Sequence, residues 1–265
     1  MPRRTIQIES STACNARCSF CPRSDMTRPR GEMPDALFRR IVAEGKAMGV
    51  RHFTPFLHGE PLAFPRLFGW LDHLEAEGMK ASIYTNASLL TRDKADRLAR
   101  NKAVALVHCG LGGATAGTHR KVTGLDGFEE TAANVRYLIS KAPSRVRVGM
   151  VVTEDTAGEA AEHRRLWGRR AKAVPFRNWA GARRSPLEAA GRRLPCKEIT
   201  SDMCVLWDGR VALCCMGFDG KAILGDLNRQ SLREVWDSGV EARRRAAAGD
   251  LAVYPLCEGC NGNVY

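Results

Sequence analysis

Three cysteines near the start of the chain have the spacing of a metal-binding loop. Cys14, Cys18 and Cys21 form a C-x3-C-x2-C run just after a short β-branched segment at residues 5–9. Thiolates on one short loop can hold three irons of a cubane 4Fe–4S cluster, whereas stable clusters usually have four protein ligands. A three-ligand cluster leaves one iron open to a substrate or cofactor, as in an open catalytic zinc site. From spacing alone, a zinc ion with a distant fourth ligand is the alternative.

A second set of four cysteines lies in the last third of the chain: Cys196, Cys214, Cys257 and Cys260. Asp208-Gly209 separates two apolar runs, a pattern typical of a β-hairpin, and this places Cys214 at the end of the second hairpin strand. Four cysteines on a hairpin, its approach and a terminal loop can converge on one tetrahedral or cubane site. The residue types allow zinc as readily as an iron–sulfur cluster.

Three cysteines remain outside these sets, namely Cys109, Cys204 and Cys215. A small buried apolar side chain is the default interpretation of each. Cys215 follows Cys214 directly, so it could replace that ligand or take part in a reaction itself. The sequence leaves these alternatives open.

Length and composition place the chain among globular proteins of a reducing compartment. Its 265 residues suggest about two domains at ~150 residues each. The sequence has ten cysteines, and it shows neither a signal peptide nor an apolar run long enough to span a membrane. Clustered cysteines in such a sequence indicate metal binding or cysteine chemistry in the cytoplasm. The formal net charge of +12 favours a solvated basic surface over an acidic ligand, and nucleic acid is the least favoured partner.

The first two thirds alternate strand-like and helix-like patterns. Strands are predicted at residues 5–9, 51–57, 80–85, 103–109, 145–152 and 173–177, and helices at 35–48, 65–77, 92–100, 128–141 and 157–170. Such alternation predicts parallel strands with right-handed crossovers and a ligand site at the carboxyl ends of the strands. Pro175 fits an edge strand and favours an open partial (β/α)6 barrel over a closed one, whereas Pro55 does not fit the second strand.

After residue 177 the pattern changes. Residues 181–195 are rich in Arg, Gly and Pro and are predicted to form a linker. The hairpin follows, and Ser231 is predicted to cap a helix that continues to about residue 248. We therefore predict an α/β barrel domain at residues 1–181 and a small α+β domain, a hairpin plus a helix, at residues 182–265.

The barrel half resembles the radical S-adenosylmethionine (radical SAM) superfamily. The cysteine run directly follows the first strand with Phe20 before its third cysteine, and His58-Gly59-Glu60 stands where the family has a Gly-Gly-Glu-like motif. Thr85-Asn86-Ala87 corresponds to the family's Thr-Asn-Gly. The resemblance implies that Gly59 and Glu60 hold the amino group of SAM. It also places Phe20, Asn86 and Gly110 near the cofactor, while His58 could line the SAM pocket or cap a strand.

Two stretches depart from the family's pattern. Many relatives have Ser-Leu-Asp-Gly after the fourth strand and Arg-Gly some residues later, whereas this chain has Gly110-Leu111-Gly112-Gly113 and Thr123-Gly124. The Ser, Asp and Arg side chains are absent, so the SAM carboxylate or the substrate must be anchored differently. The glycines could let backbone N–H groups approach a ligand, or they could form a permissive turn.

The C-terminal part resembles the SPASM/twitch domains of radical SAM enzymes. The similar segments are residues 178–181, Trp207-Asp208-Gly209 and Gly225-Asp226-Leu227. The resemblance implies that Cys196, Cys214, Cys257 and Cys260 hold an auxiliary 4Fe–4S cluster. A full SPASM domain has cysteines for two such clusters, and this chain ends five residues after Cys260, so one auxiliary cluster is expected.

The two resemblances together imply an oxidoreductase with two 4Fe–4S clusters and SAM. We expect it to dehydrogenate a small-molecule alcohol of sugar or aminocyclitol type, with the auxiliary cluster as electron acceptor and a flavodoxin- or ferredoxin-type electron donor. Arg177 and Asn178 are the nearest polar candidates for the reacting hydroxyl. One alternative is a peptide maturase, against which we count the absence of a leader-binding segment before the first strand. The others are an epimerase that uses a spare cysteine and a non-catalytic cluster protein.

Overall fold

One continuous sheet of nine strands forms the frame of the molecule. The computed structural model describes residues 5–188, 196–250 and 252–261. The strand order is β6-β5-β4-β3-β2-β1-β7-β8-β9. The strands are β1 (Thr5–Ile8), β2 (His52–Thr54), β3 (Lys80–Thr85), β4 (Val104–Gly110), β5 (Val146–Val151), β6 (Ala171–Val174), β7 (Asp202–Val205), β8 (Arg210–Ala212) and β9 (Ile223–Asp226).

The α-helices are α1 (Asp35–Ala47), α2 (Leu67–Ala76), α3 (Arg92–Arg100), α4 (Ala116–Thr123), α5 (Phe128–Lys141), α6 (Ala160–Trp167), α7 (Lys197–Thr200), α8 (Leu232–Ser238) and α9 (Val240–Ala247). Helices α1, α2, α3, α5 and α8 place apolar side chains in the same core as the sheet. Ile6 and Ile8 of β1 are fully buried in the same apolar core as Phe38 of α1. Phe38 also stacks on Trp70 of α2 at a centroid distance of 3.9 Å.

The side chains that alternate with these core residues line the opposite face, which we call the inner face. Gln7 lies between Ile6 and Ile8, and His108 lies between the buried core residues Val107 and Cys109. Since successive side chains of a strand point to opposite faces, Gln7 and His108 project away from the helices. The parallel pairing of β1 through β6 confirms the predicted α/β fold with an open sheet.

The two prolines are accommodated by strands shorter than predicted. β2 covers only residues 52–54, so Pro55 follows the strand and removes no ladder hydrogen bond. β6 ends at Val174, and Pro175 lies outside it. β6 is an edge strand, as Pro175 predicts.

The C-terminal hairpin is confirmed, but its attachment differs from the prediction. β7 and β8 pair antiparallel, and β9 adds a third antiparallel strand that the sequence did not predict. β7 also pairs in parallel with β1, with Gln7 opposite Cys204, so both predicted units share one sheet. The boundary between residues 181 and 182 stays a prediction. Part of the predicted linker, residues 189–195, lies outside the described residues.

Three helix predictions are corrected by the structure. α4 was missed, because its buried face is only His119, Val122 and Thr123. The helix predicted at residues 231–248 is two helices separated at Gly239. The segment predicted as one helix at 157–170 is α6 with a short 3-10 turn at each end. Among the described residues, no helix has the length and apolar character needed to cross a membrane.

Candidate cofactor and substrate site

The first cysteine set is brought together at the carboxyl end of β1. Burial, together with the neighbouring Cys21 and Cys14, raises the pKa of the Cys18 thiol to about 12. Burial also raises the pKa of Cys14 and of Cys21. Three partly buried thiols close to one another are costly to ionise together, and a bound metal centre removes that cost because it favours thiolates. This donor set fits an iron–sulfur cluster.

Hydrogen bonds from the Arg23 side chain to backbone carbonyls hold the cysteine loop in place. The Arg23 guanidinium donates to the carbonyls of Thr12, Cys14 and Ala16 at 3.4, 3.2 and 3.2 Å. A guanidinium that caps three carbonyls fixes the loop in one conformation, so the thiols are positioned by the protein itself. Beside the loop lies a cavity of about 780 Å³, within the range of small-molecule sites, whose lining includes Cys14, Cys18, Cys21, Asn15, Arg17 and Arg30.

The segment after β2 packs against the backbone that leads into this loop. A Cβ atom on Gly59 would lie 2.1 Å from the carbonyl oxygen of Ser11 and 2.8 Å from that of Ala13, so only glycine fits. The Glu60 N–H donates to the Ala13 carbonyl at 2.7 Å. Gly59 and Glu60 therefore lie directly beside the cysteine loop, where the sequence placed them.

The Glu60 carboxylate joins the segment after β2 to the segment after β3 from inside the protein. It accepts hydrogen bonds from the N–H groups of Leu62 and Asn86 at 2.9 and 2.7 Å and from the Thr85 hydroxyl at 2.5 Å. Burial raises its pKa. Ala87 follows with a left-handed φ of 62°, which explains why relatives have glycine there. Since Glu60 already accepts from this chain's own donors, its contact with SAM stays a prediction.

Replacing Glu60 by alanine should weaken SAM binding about tenfold or more while the iron content stays near normal. The reason is the loss of charge-assisted hydrogen bonds that hold the Asn86 loop against the cysteine loop. Equilibrium dialysis of reconstituted protein with labelled SAM measures the affinity, and Glu130→Ala on the exposed surface of α5 is the matched control. Unchanged SAM affinity would show that the motif is misplaced.

Asn86 also contacts the cysteine loop directly. Its side-chain amide donates to the side-chain oxygen Oδ1 of Asn15 at 3.0 Å. The side-chain nitrogen Nδ2 of Asn15 in turn donates to the Ser88 hydroxyl at 2.8 Å. Asn86 thus contacts Asn15, which lines the cavity, and its role toward the cofactor stays a prediction. Phe20 is half-buried next to Cys21, and its role toward the cofactor stays a prediction.

The glycines after β4 have a packing role that neither sequence alternative described. A Cβ atom on Gly112 would lie 2.3 Å from the Thr123 methyl group, and one on Gly113 would lie 2.8 Å from Thr118. These two glycines therefore make room for α4. A Cβ atom on Gly110 would make only an ordinary contact of 3.7 Å with the Thr85 carbonyl oxygen. The cofactor role of Gly110 stays a prediction.

His58 belongs to a buried ionic cluster, and it does not cap a strand. Its Nε2 donates to the Cys215 carbonyl at 2.9 Å, and its Nδ1 lies 3.1 Å from the Glu9 carboxylate. Arg28 bonds the same carboxylate through both terminal nitrogens, at 2.8 and 2.5 Å. Burial alone would raise the pKa of Glu9, but His58 and Arg28 hold it below its ordinary value. Glu9 also accepts from the Trp207 N–H, so the cluster joins both parts of the chain.

The four C-terminal cysteines also converge. Burial raises the pKa of Cys214 strongly, and the charges of Cys260 and Cys257 add to the rise. Burial raises the pKa of Cys196, where Cys260 contributes in the same sense. These contributions place the four thiols of residues 196–260 within electrostatic range of one another. The donor set fits a closed four-thiolate site.

Arg177 lies in a polar cluster between the inner face and this cysteine group. Its guanidinium lies 3.5 Å from the Glu198 carboxylate and donates to Cys215 Sγ at 3.8 Å. Glu198 accepts from the Cys215 thiol at 3.5 Å and from the Gln7 amide of β1 at 3.1 Å. Burial raises the pKa of Cys215 far above its ordinary value, so the thiol stays protonated. Sequence reasoning missed Glu198 and Gln7, since neither belongs to a motif.

Asn178 is held by the C-terminal cysteine loop. Its side-chain amide donates to the Gly259 carbonyl at 2.8 Å and to Glu188 at 2.5 Å, and its carbonyl oxygen accepts from the Asn261 N–H at 3.1 Å. Asn178 thus fixes the loop between Cys257 and Cys260. A role for it at the reacting hydroxyl stays a prediction.

Two of the three remaining cysteines, Cys109 and Cys204, have the apolar environment that was their default interpretation, whereas Cys215 also contacts Arg177 and Glu198. Cys109 is fully buried in the main core. Cys204 is fully buried in a small apolar cluster with Leu57, Leu206 and Ala212, against which Cys215 packs.

Comparisons with known proteins match both halves of the chain. The radical SAM superfamily model matches residues 8–166, and a model of the SPASM iron–sulfur cluster-binding domain matches residues 196–261. Each matched range contains one of the two cysteine sets. Over 265 aligned positions the chain is 22% identical to the S-adenosyl-L-methionine-dependent 2-deoxy-scyllo-inosamine dehydrogenase of Niallia circulans, covering 97% of this chain and 92% of that protein.

Solved structures share the fold. BtrN in complex with AdoMet and 2-DOIA superposes with a TM-score of 0.70 at 19% identity, covering 100% of this chain and 94% of that one. Streptococcus suis SuiB bound to the precursor peptide SuiA superposes with a TM-score of 0.78 at 15% identity, covering 99% of this chain and 72% of that one. At these identities the similarity is one of fold.

Proposed function

We propose that this chain, which belongs to the radical SAM superfamily and carries a SPASM iron–sulfur domain, dehydrogenates a small-molecule alcohol of sugar or aminocyclitol type. The family assigns it SAM, a SAM-binding 4Fe–4S cluster and an auxiliary cluster. The observation that carries the proposal is the position of the Arg177–Glu198 pair. Glu198 of this pair accepts from Gln7 of the inner face and lies two residues after the auxiliary cysteine Cys196.

We assign Cys14, Cys18 and Cys21 to the SAM-binding cluster and the other four cysteines, Cys196, Cys214, Cys257 and Cys260, to the auxiliary cluster. When bound, SAM and the first cluster supply the radical that removes a hydrogen atom from a C–H bond. The protein places the substrate and excludes water. A cluster with four cysteine ligands has no open iron, so it suits the uptake of one electron from the substrate.

The inner face offers a compact substrate both a polar and an aromatic surface. Arg177 would orient the hydroxyl and stabilise its developing negative charge. Tyr84 of β3 stacks between Phe56 and His108, with centroid distances of 5.8 and 5.4 Å. Burial lowers the pKa of His108 to about 4, so its imidazole is neutral at pH 7. These rings suit the apolar face of a cyclic alcohol.

The test is product analysis with 2-deoxy-scyllo-inosamine and SAM under anaerobic conditions. The expected product is two hydrogens lighter, with one SAM consumed per turnover. Dehydrogenation should fail in the Cys257→Ser, Cys260→Ser double variant, while SAM cleavage continues wherever substrate still binds. Cys109→Ser is the control for loss of a buried thiol. A mass-neutral product that takes up one deuterium from heavy water would reject dehydrogenation.

An epimerase is the second candidate because one specific observation favours it. Cys215 carries a protonated thiol next to Arg177, as a hydrogen-atom donor requires. Cys215→Ala should abolish an epimerase and leave a dehydrogenase active. A peptide maturase is the third candidate, supported by the fold shared with peptide-bound SuiB. Peptide substrates would then give mass-shifted products while the cyclitol gives none.

Electron supply completes the proposal. We infer a flavodoxin- or ferredoxin-type donor, because a SAM-binding 4Fe–4S cluster must receive an electron before SAM is cleaved. The ten free cysteines suit the reducing cytoplasm.

A further inference from the structure

Two stacked rings on the inner face are accessible to a ligand. Tyr84 belongs to β3, which lies inside the sheet between β2 and β4, yet Tyr84 is 37% exposed. His108 of β4, whose ring stacks on Tyr84, is half-buried. Both residues lie in the carboxyl halves of parallel strands. The accessible rings therefore lie toward the edge of the sheet that carries the first cysteine set.

The position of the His108 ring depends on a glycine in the neighbouring strand. A Cβ atom on Gly149 of β5 would lie 2.0 Å from His108 Nε2 and 2.8 Å from Cε1. Only glycine therefore leaves room for the imidazole at this point of the sheet. Tyr84 stacks on the same ring with a centroid distance of 5.4 Å. The ring is thus held between Tyr84 and the backbone of Gly149.

The hydrogen-bonding capacity of His108 is not used by the protein. Among residues 5–188, 196–250 and 252–261, no group forms a hydrogen bond with its ring nitrogens, and neither nitrogen is fully buried. Burial, with His163 and Lys172 acting in the same direction, lowers the pKa of His108 to about 4. A neutral imidazole keeps one nitrogen as an acceptor, so this ring offers an acceptor to a ligand.

Other polar side chains of the inner face already have partners. Gln7 donates to the Glu198 carboxylate at 3.1 Å. His52 lies 2.8 Å from the Ser82 hydroxyl. Arg147 donates to two backbone carbonyls of its own segment at 3.1 and 2.8 Å. These groups are less available to a ligand than the imidazole that stacks on Tyr84.

Two further polar side chains near the rings need to be distinguished from His108. Lys172 of β6 lies opposite Gly149 and is exposed. It carries a positive charge and can only donate, so it cannot replace a neutral acceptor. The buried Thr54 of β2 has a hydroxyl without a hydrogen bond to any described residue. Thr54 is therefore the alternative that an experiment must exclude.

We propose that His108 accepts a hydrogen bond from a hydroxyl group of the substrate, whose ring packs on Tyr84 and Phe56. The stacked rings provide a surface for the C–H face of a cyclic compound. The positive charge of Lys172 favours an uncharged hydroxyl over an ammonium group at this position. This inference rests on the substrate class of the proposed function, but it holds for any reaction on that substrate.

The test is anaerobic isothermal titration calorimetry with 2-deoxy-scyllo-inosamine as the probe. Reconstituted protein is saturated with SAM, and no reductant is added, so no turnover occurs. His108→Phe keeps a ring against Tyr84 and removes both nitrogens. It should weaken binding about 5- to 10-fold, the loss expected for one hydrogen bond. Gly149→Ala should also weaken binding, because the added methyl group displaces the imidazole.

The matched controls are Thr54→Val and His73→Phe. The first removes another hydroxyl from the inner face, and the second replaces an imidazole on α2. Both should bind the probe as the wild type does. Iron content, circular dichroism and SAM affinity, measured for each variant, show that the fold and the cofactor site are intact.

Three results would overturn the inference. They are no binding of the probe to the wild type, wild-type affinity in His108→Phe, and a larger loss in Thr54→Val than in His108→Phe. The last result would assign the hydroxyl to Thr54. Binding that depends on His108, without a dehydrogenated product when a reductant is supplied, would reject the proposed reaction and support this inference.

Discussion

Replacing Cys14, Cys18 and Cys21 together by alanine should remove about half of roughly eight irons per chain, which is one of two 4Fe–4S clusters, and abolish SAM cleavage. The three thiols are the only cysteines among the described residues that line the cavity beside β1. Iron and sulfide analysis, together with 5′-deoxyadenosine formation, measures the effect after anaerobic reconstitution.

Cys109→Ala is the matched control, because this thiol is buried in the core and contributes no ligand. It should keep all of the iron. Zinc at the C-terminal cysteines, with iron only at the first site, would contradict the assignment of an auxiliary cluster. Full iron content in the triple variant would contradict the assignment of the first.

Removing Arg28 should destabilise the protein by about 3–5 kcal/mol, because Arg28→Ala leaves the Glu9 carboxylate buried without its main partner. The ion pair has almost no exposure on either side. Anaerobic urea unfolding of the reconstituted protein measures the free energy. Arg244→Ala, which breaks an exposed pair on α9, is the control and should leave stability nearly unchanged.

The same cluster predicts an acid dependence of stability. Glu9 has a lower pKa in the folded protein than its ordinary value of 4.5, so its stabilising contribution is present above that value. It is lost as the pH falls through the lower folded pKa. Glu9→Gln should therefore flatten the acid side of the stability curve.

The Arg28→Ala measurement can also contradict the description of the cluster. A loss of unfolding free energy below about 1 kcal/mol would show that the cluster is solvated and not buried as described.

Local signals predicted much of the fold. The Thr91 side chain caps α3 by accepting from the Lys94 N–H, and Ser231 and Glu234 form a capping box at α8. The Asp208-Gly209 hairpin is present. Each of these signals acts within a few residues, which is why the sequence alone reveals it. The family and the SPASM domain, inferred from motifs, are confirmed by the matched models.

Contacts between residues that are far apart in the sequence could not be predicted in the same way. Glu9 and Arg28 lie in irregular segments, where no periodic pattern indicates which charges will meet. Glu198 binds Gln7 across 191 positions, and only the folded sheet brings them together. Helix α4 has a weak apolar face, so the sequence pattern did not predict it. Without α4, the packing role of Gly112 and Gly113 could not be predicted either.

Because β1 lies between an early and a late strand, the order of synthesis determines when its two edges are paired. β1 is the first strand to leave the ribosome, yet one of its two neighbours, β7, begins only at Asp202. At about 5–20 residues per second, roughly 10–40 seconds pass before that neighbour exists. During this interval β1 has an open edge, the feature through which nascent sheets aggregate. The C-terminal unit therefore completes the sheet of the barrel, because β7 covers an edge of β1 that is otherwise open.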